Sequence, residues 1–339
     1  MARPAPQSVR RIACVGSGLM GGGWAVHFMA HGYDVVVQDP DPGAEAKLRR
    51  LIERAWPALK SFGVARGAAP KRLQFTTSLA EAVEGADFIQ ESAPERVPIK
   101  IKLLAEIDRL ARPEIVVSSS TSGFVMSSIY GQCRRPGRMV VGHPFNPPYL
   151  MPLVEVGGGP KTSKDAIDWA CRFYERTNMY ALKMDVEVPG FIANRLQQAL
   201  WYEALHMLAD GQASVEQLDA ALCEGPGLRW AMMGHFMLLH LAGGEGGIDH
   251  ALAHFGSASD DKGYTHVSKP KMTPALVEEI RRGVKRLVGR RSYGDLVRWR
   301  DTNLAGFRKA LAQTKTKAKP KPKRRVSRTR KRPSTARRR

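Results

Sequence analysis

The chain has 339 residues, enough for two folded units, and 43% of them are hydrophobic, enough to give each a core. No apolar run reaches the ~18–20 residues of a transmembrane helix, and the opening residues lack the apolar stretch of a secretory signal. The net charge of +21 is local: residues 315–339 hold 14 Lys or Arg and no acid, so the remainder, with 39 bases against 32 acids, carries only +7.

Residues 1–9 read as an N-terminal extension. A strand is expected at 11–15, and Gly16-Ser17-Gly18-Leu19-Met20-Gly21 follows at once, opening a helix that runs to about residue 31. A second strand at 34–38 ends at Asp39, 23 residues beyond Gly16. In this setting Gly16 permits a tight turn, Gly18 lets backbone approach a pyrophosphate, and Gly21 lets helix and strand pack closely. The helix N-terminus presents free N–H groups to the phosphates, and Leu19 and Met20 of the same loop are expected beside the dinucleotide. A carboxylate at Asp39 accepts hydrogen bonds from ribose hydroxyls and repels a 2′-phosphate. The next residues, Pro40-Asp41-Pro42, offer no arginine for one. The cofactor expected is therefore NAD.

Further strands are expected at 88–90, 115–118, 139–142 and 153–156, with helices at 44–62 and 99–111 between them. Past Pro189 the strand signals stop, and helices are expected at 191–210, 215–224, 230–241, 274–288 and 293–312. The expected fold class is α/β: a Rossmann-type, mostly parallel sheet domain over 10–188, then an all-α domain over 189–312 for substrate and dimerisation. Residues 313–339 hold one valine as their only sizeable apolar side chain, which predicts a disordered basic tail. The four cysteines, Cys14, Cys133, Cys171 and Cys223, are scattered with no CxxC pair and no metal-ligand spacing. A reduced, cytoplasmic protein without a metal is the expectation.

Three segments carry more specific chemistry: Ser119-Ser120-Thr121-Ser122-Gly123 after a strand, Gly142-His143-Pro144-Phe145-Asn146 with Leu153-Val154-Glu155-Val156 behind it, and Pro189-Gly190-Phe191-Ile192-Ala193-Asn194-Arg195 at the domain junction. With the glycine-rich loop and Glu91-Ser92-Ala93-Pro94-Glu95, these closely resemble the 3-hydroxyacyl-CoA dehydrogenase superfamily over residues 10 to about 255. The resemblance implies an acid–base pair at His143 and Glu155, with Ser122 and Asn194 holding the reacting oxygen. It also implies cofactor contacts at Glu95, Lys100 and Ser122. Two positions depart from the acyl-CoA pattern: proline follows His143 where many members carry an aromatic residue, and Gly123 stands where they often have a second serine.

The chemistry asks for the same residue types. A carbinol carbon releases hydride only as its hydroxyl loses a proton, and an imidazole is the side chain suited to accept that proton near neutral pH. A carboxylate behind it fixes the tautomer and stabilises the imidazolium. Hydroxyl and amide groups polarise the substrate oxygen.

Within the superfamily the segments Ala55-Trp56-Pro57-Ala58-Leu59, Ile89-Gln90-Glu91-Ser92 and Gly227-Leu228-Arg229-Trp230 are similar to those of bacterial L-carnitine 3-dehydrogenases. That likeness implies oxidation of the 3-hydroxyl of a small 3-hydroxy acid, L-carnitine to 3-dehydrocarnitine, by a homodimer. L-Gulonate 3-dehydrogenases of the lambda-crystallin type and acyl-CoA dehydrogenases are the rival readings. A quaternary ammonium group is best held by aromatic faces. Phe145 and Trp230 are the first choices for that role, with Tyr149, Trp201 and Phe255 also available. The basic tail supports a reading of another class, a nucleic-acid-binding protein on a dehydrogenase scaffold, making weak non-specific phosphate contacts.

Overall fold

Runs rich in Val and Ile, too short for helices, form strands buried on both faces, and amphipathic stretches between them cross over as helices. The computed structural model describes residues 3–231 and scattered positions between 234 and 313. The helices expected beyond 231 fall mostly outside the described residues, and Phe255 and the basic tail fall wholly outside them.

The elements are β1 (Arg11–Val15), α1 (Leu19–Ala30), β2 (Asp34–Gln38), α2 (Ala44–Phe62), β3 (Leu73–Thr76), α3 (Leu79–Val83), β4 (Phe88–Glu91), α4 (Val97–Leu110), β5 (Val117–Ser119), α5 (Met126–Ile129), β6 (Met139–Pro144), β7 (Leu153–Gly157), α6 (Lys164–Arg176), β8 (Tyr180–Lys183), α7 (Ile192–Ala209), α8 (Val215–Glu224) and α9 (Pro226–Trp230). The sheet order is β3-β2-β1-β4-β5-β6-β7-β8. Every neighbouring pair is parallel except β6 and β7. The chain winds outward from β1 to β3, then returns to place β4 on the other side of β1. That reversal opens a crevice at the carboxyl ends of β1 and β4, the usual seat of a dinucleotide.

Successive side chains of β1 feed two cores. Ile12 and Cys14 point into an aromatic layer with Trp24, Phe28, Phe88, Trp169, Phe173 and Tyr174. Ala13 and Val15 join Ile89, Leu104, Ile107, Val117, Met139 and Phe191 on the opposite face.

The structure changes several expectations. β3 and β8 were not anticipated, and α4 starts two residues earlier than expected. The fourth expected strand starts at Val117 rather than 115. β6 runs on past its expected end at 142 through His143 to Pro144, so the histidine sits in the strand itself. α9 forms between the expected helices 215–224 and 230–241, with Pro226 in its first turn, and Trp230 ends it rather than opening a helix. Among the described residues no helix is long and apolar enough to cross a membrane.

Candidate active site

The glycine-rich loop is built for close approach. Gly16 adopts φ +92°, and a Cβ there would lie 2.7 Å from the Ser92 carbonyl oxygen. A Cβ at Gly21 would lie 1.9 Å from the Gly16 carbonyl oxygen, so the first turn of α1 can sit on the loop only without one. At Gly18 nothing stands within 4 Å, which leaves the helix N-terminus open to a ligand. The loop borders a cavity of about 740 Å³ whose wall includes Gly16, Gly18, Asp39, Ser92 and Leu103. Asp39 Oδ2 accepts from the Ser17 N–H (2.9 Å) and hydroxyl (2.7 Å), and Oδ1 accepts from the Asp41 N–H (3.1 Å). Open amides, a carboxylate at the end of β2 and a cavity between them are what a dinucleotide requires, so the residues fit NAD. An adjoining cavity shares Ser17, Gly18 and Asp39 with the first and is lined further by Leu19 and by Lys47, Arg50 and Arg54 of α2, three cations that no sequence motif marks.

A second, smaller cavity of about 190 Å³ lies at the end of β6. Met20, Ser120, Ser122, His143, Phe145 and Asn194 line it, so four segments distant in sequence converge there. The antiparallel register sets His143 opposite Glu155. His143 Nδ1 is 2.9 Å from Glu155 Oε2, with both side chains buried. Glu155 Oε1 accepts the backbone N–H groups of Ile192 and Ala193, each at 2.9 Å, so the carboxylate also caps α7. An ionised Glu155 can only accept from the ring, so the neutral imidazole carries its hydrogen on Nδ1 and presents Nε2 as the acceptor. The ring lies between Phe145 and Phe191, with centroids at 5.2 and 5.1 Å. Phe191 takes φ 55° after Gly190, a strained conformation that aims the first amides of α7 at Glu155.

Glu95 anchors the loop that bears Ser122. Its Oε1 accepts from the Thr121 hydroxyl (2.6 Å) and from the backbone N–H groups of Ser122 (2.9 Å) and Gly123 (3.2 Å). Asn194 Nδ2 donates to the Ser122 carbonyl at 2.7 Å, tying α7 to the same loop. Lys100 lies beneath this layer at 1% exposure. Its ammonium is held by Glu91 (2.9 and 3.2 Å), the Ala93 carbonyl (3.2 Å) and Glu95 (3.4 Å). Glu91, which also accepts the Ser119 hydroxyl, stands in the Glu91-Ser92-Ala93-Pro94-Glu95 motif but had no role assigned to it, because nothing in the sequence pairs it with a lysine nine residues on.

Of the aromatic candidates, Phe145 alone among the described residues lines the smaller cavity. Trp230 lines neither cavity, because α9 packs back on α8. Its indole N–H is buried without a hydrogen-bond partner among the described residues. Tyr149 is buried and donates to Asp301 at 2.9 Å, and Trp201 is half exposed on α7. No group of three or more His, Cys, Asp or Glu that could hold a metal occurs among the described residues.

The 3-hydroxyacyl-CoA dehydrogenase NAD binding domain family matches residues 11–187, and the 3-hydroxyacyl-CoA dehydrogenase C-terminal domain family matches residues 190–293. The chain is 50% identical to an L-carnitine dehydrogenase of Nocardiopsis dassonvillei, covering 92% of this chain and 94% of that one. It is 47% identical to an L-carnitine dehydrogenase of Pseudomonas aeruginosa, covering 91% and 95%. Among solved structures, 5-formyl-3-hydroxy-2-methylpyridine 4-carboxylic acid 5-dehydrogenase, an NAD+-dependent dismutase, superposes with a TM-score of 0.75 at 27% identity, covering 90% of this chain and 99% of that one. The cofactor is NAD, and the chain is an oxidoreductase that acts on the CH–OH group of a 3-hydroxy acid. The glycine-rich crevice, the helical segment behind it and relatives matched over nine-tenths of its length together make this chain a member of the 3-hydroxyacyl-CoA dehydrogenase family.

Proposed function

We propose that the chain oxidises the 3-hydroxyl of L-carnitine, with His143 as the base. The observation that carries the reading is the His143–Glu155 pair at 2.9 Å in a cavity that also gathers Ser122, Asn194 and Phe145. The substrate itself is suggested by relatives at 47–50% identity that are named L-carnitine dehydrogenases. When bound, NAD accepts the hydride. His143 Nε2 takes the hydroxyl proton, and Glu155 stabilises the imidazolium that results. Ser122 orients the substrate oxygen, and Asn194 holds the Ser122 loop in place. Glu95 secures that loop toward the cofactor, and Lys100 neutralises the carboxylates beneath it. Phe145 offers a ring face to the trimethylammonium group, a contact worth about 0.5–2 kcal/mol. The deciding experiment compares kcat/KM for L-carnitine, L-gulonate and 3-hydroxybutyryl-CoA on one preparation. A tenfold preference for either rival overturns the substrate while leaving the base in place. Phe145→Leu should raise KM for carnitine about two- to thirty-fold and change that for uncharged 3-hydroxybutyrate much less.

Two properties of the assembly belong to the same reading. The chain works as a homodimer, supported by the exposed apolar row Ile192, Leu196 and Leu200 on α7 with Trp201 beside it; a monomeric mass by sedimentation at micromolar concentration would exclude this. The basic run 315–339 binds nucleic acid weakly through phosphates, each contact adding about −0.9 to the slope of log K against log salt. Its deletion should abolish that binding and leave dehydrogenase kinetics unchanged. The protein acts in the cytoplasm, which fractionation would check.

A further inference from the structure

A buried polar chain runs from the core to the dinucleotide cavity. Ser118 Oγ and Tyr174 Oη are 2.7 Å apart, and Tyr174 Oη lies 2.6 Å from Gln90 Oε1. Gln90 Nε2 is 2.8 Å from Ser120 Oγ, Trp24 Nε1 is 3.1 Å from the same oxygen, and Ser92 Oγ is 2.8 Å from it. Ser118, Tyr174, Gln90 and Trp24 are all fully buried.

The donor inventory fixes the direction of every link. Gln90 Nε2 also lies 3.5 Å from the Gly142 carbonyl, which can only accept, so the amide nitrogen faces Ser120 and the amide oxygen faces Tyr174. Tyr174 therefore donates to Gln90, and Ser118 donates to Tyr174. Burial pushes the Tyr174 phenol up, which keeps its proton in place. Ser120 Oγ receives two N–H donors, from Gln90 and Trp24, and both of its lone pairs are then taken. Its own hydrogen must go to Ser92. The Ser92 hydroxyl, accepting from Ser120, has no other hydrogen-bond partner among the described residues, and Ser92 lines the large cavity beside Gly16. Ser120 lines the His143 cavity, so the Ser92–Ser120 hydrogen bond joins the walls of the two cavities.

Gly142 shows that the arrangement is tightly fitted. A Cβ there would lie 2.1 Å from the Tyr174 hydroxyl and 2.3 Å from Ser118 Oγ. The chain thus packs directly behind the strand residue that precedes His143.

We propose that Ser92 is a cofactor-binding residue, poised by the Ser118–Tyr174–Gln90–Ser120 chain to donate its hydroxyl hydrogen to an oxygen of the nicotinamide-nucleotide half of NAD. This rests on the NAD site described above. Binding of AMP to the unmodified protein, weakened by Asp39→Ala, tests that site separately. Ser92→Ala should weaken NADH binding about threefold to tenfold, the worth of one hydrogen bond. AMP, which lacks the nicotinamide nucleotide, should bind as before and also reports that the variant is folded. Trp24→Phe frees a lone pair on Ser120 and lets Ser92 turn inward. NADH affinity should then fall although Ser92 is intact, and adding Ser92→Ala to that background should weaken it by less than in the unmodified chain. Unchanged NADH affinity in Ser92→Ala, an equal loss for AMP, or full additivity of the two substitutions would each overturn the proposal.

Discussion

Glu155 faces His143 across the antiparallel β6–β7 pair and divides its two carboxylate oxygens between the imidazole and the first turn of α7. All three groups it meets are donors. His143→Ala should lower kcat by ~10²–10⁴, the usual worth of a general base, and leave NADH affinity nearly intact. Glu155→Gln keeps the size but turns one oxygen into a donor, so either His143 or the helix amides lose their acceptor. Steady-state kinetics of both variants check this, and near-normal turnover in His143→Ala refutes the base.

Asp39 should hold NAD over NADP by more than ~1.4 kcal/mol, or tenfold in kcat/KM. Asp39→Ser should narrow the gap from both sides. It removes the repulsion, and Lys47, Arg50 and Arg54 in the adjoining cavity can then meet a 2′-phosphate. Equal kcat/KM for the two cofactors in the unmodified protein would contradict the role of Asp39.

Arg138 is buried at 3% exposure against Asp108 at 0%, with guanidinium-to-carboxylate distances of 2.7 and 3.0 Å. Asp108 also accepts the backbone N–H groups of Arg134 and Arg135, at 2.7 and 3.0 Å. Asp108→Ala strands a buried cation and two amides and should destabilise the protein by about 3–5 kcal/mol in urea denaturation. Replacing Asp108 and Arg138 together by apolar residues should cost less than the single change, since no charge is left unpaired.

Burial pushes the Cys171 thiol up to about 11 and the Cys133 thiol up to about 12, the latter helped by the nearby Asp108 carboxylate, and it raises Cys14 further still. A thiol reagent at pH 8 should therefore modify Cys223, which is exposed, rapidly, the partly buried Cys133 far more slowly, and the buried Cys14 and Cys171 only on unfolding. The same shifts make stability depend on pH. Below the ordinary thiol value of 9.0 both states are protonated and these groups add no slope. Above it the unfolded chain releases protons that the folded chain retains, so stability falls as pH rises, through about 11 for Cys171 and 12 for Cys133. Urea midpoints at pH 8, 9.5 and 10.5 read this directly, and Cys171→Ala should flatten the decline.

The central strands were legible because they are buried on both faces and read as continuous apolar runs, as Val35-Val36-Val37 of β2 does. β3 and β8 were not, and both stand at the edges of the sheet. β3 buries only Leu73, and β8 leaves Tyr180 65% exposed, so neither carries that signal. At the site, residue identities showed through the motifs while side-chain directions did not. Nothing local reveals that Lys100 turns inward to Glu91, or that the Asn194 amide meets the Ser122 carbonyl. Those contacts are set by pairing across the fold. The position of Trp230 was not legible for a related reason: its segment was assigned by likeness, and the path of α9 depends on how it packs against α8.

The double duty of Glu155 makes the orientation of His143 a gauge of the junction between sheet and helices. One oxygen holds the imidazole and the other rides on the amides of Ile192 and Ala193, so a tilt of α7 is transmitted to the ring with no flexible joint between. Lengthening the connection around Pro189 by a single residue would leave the cofactor crevice whole and still turn the His143 ring, the proposed proton acceptor. The first turn of α7 and the strand bearing His143 are thereby compelled to change in step.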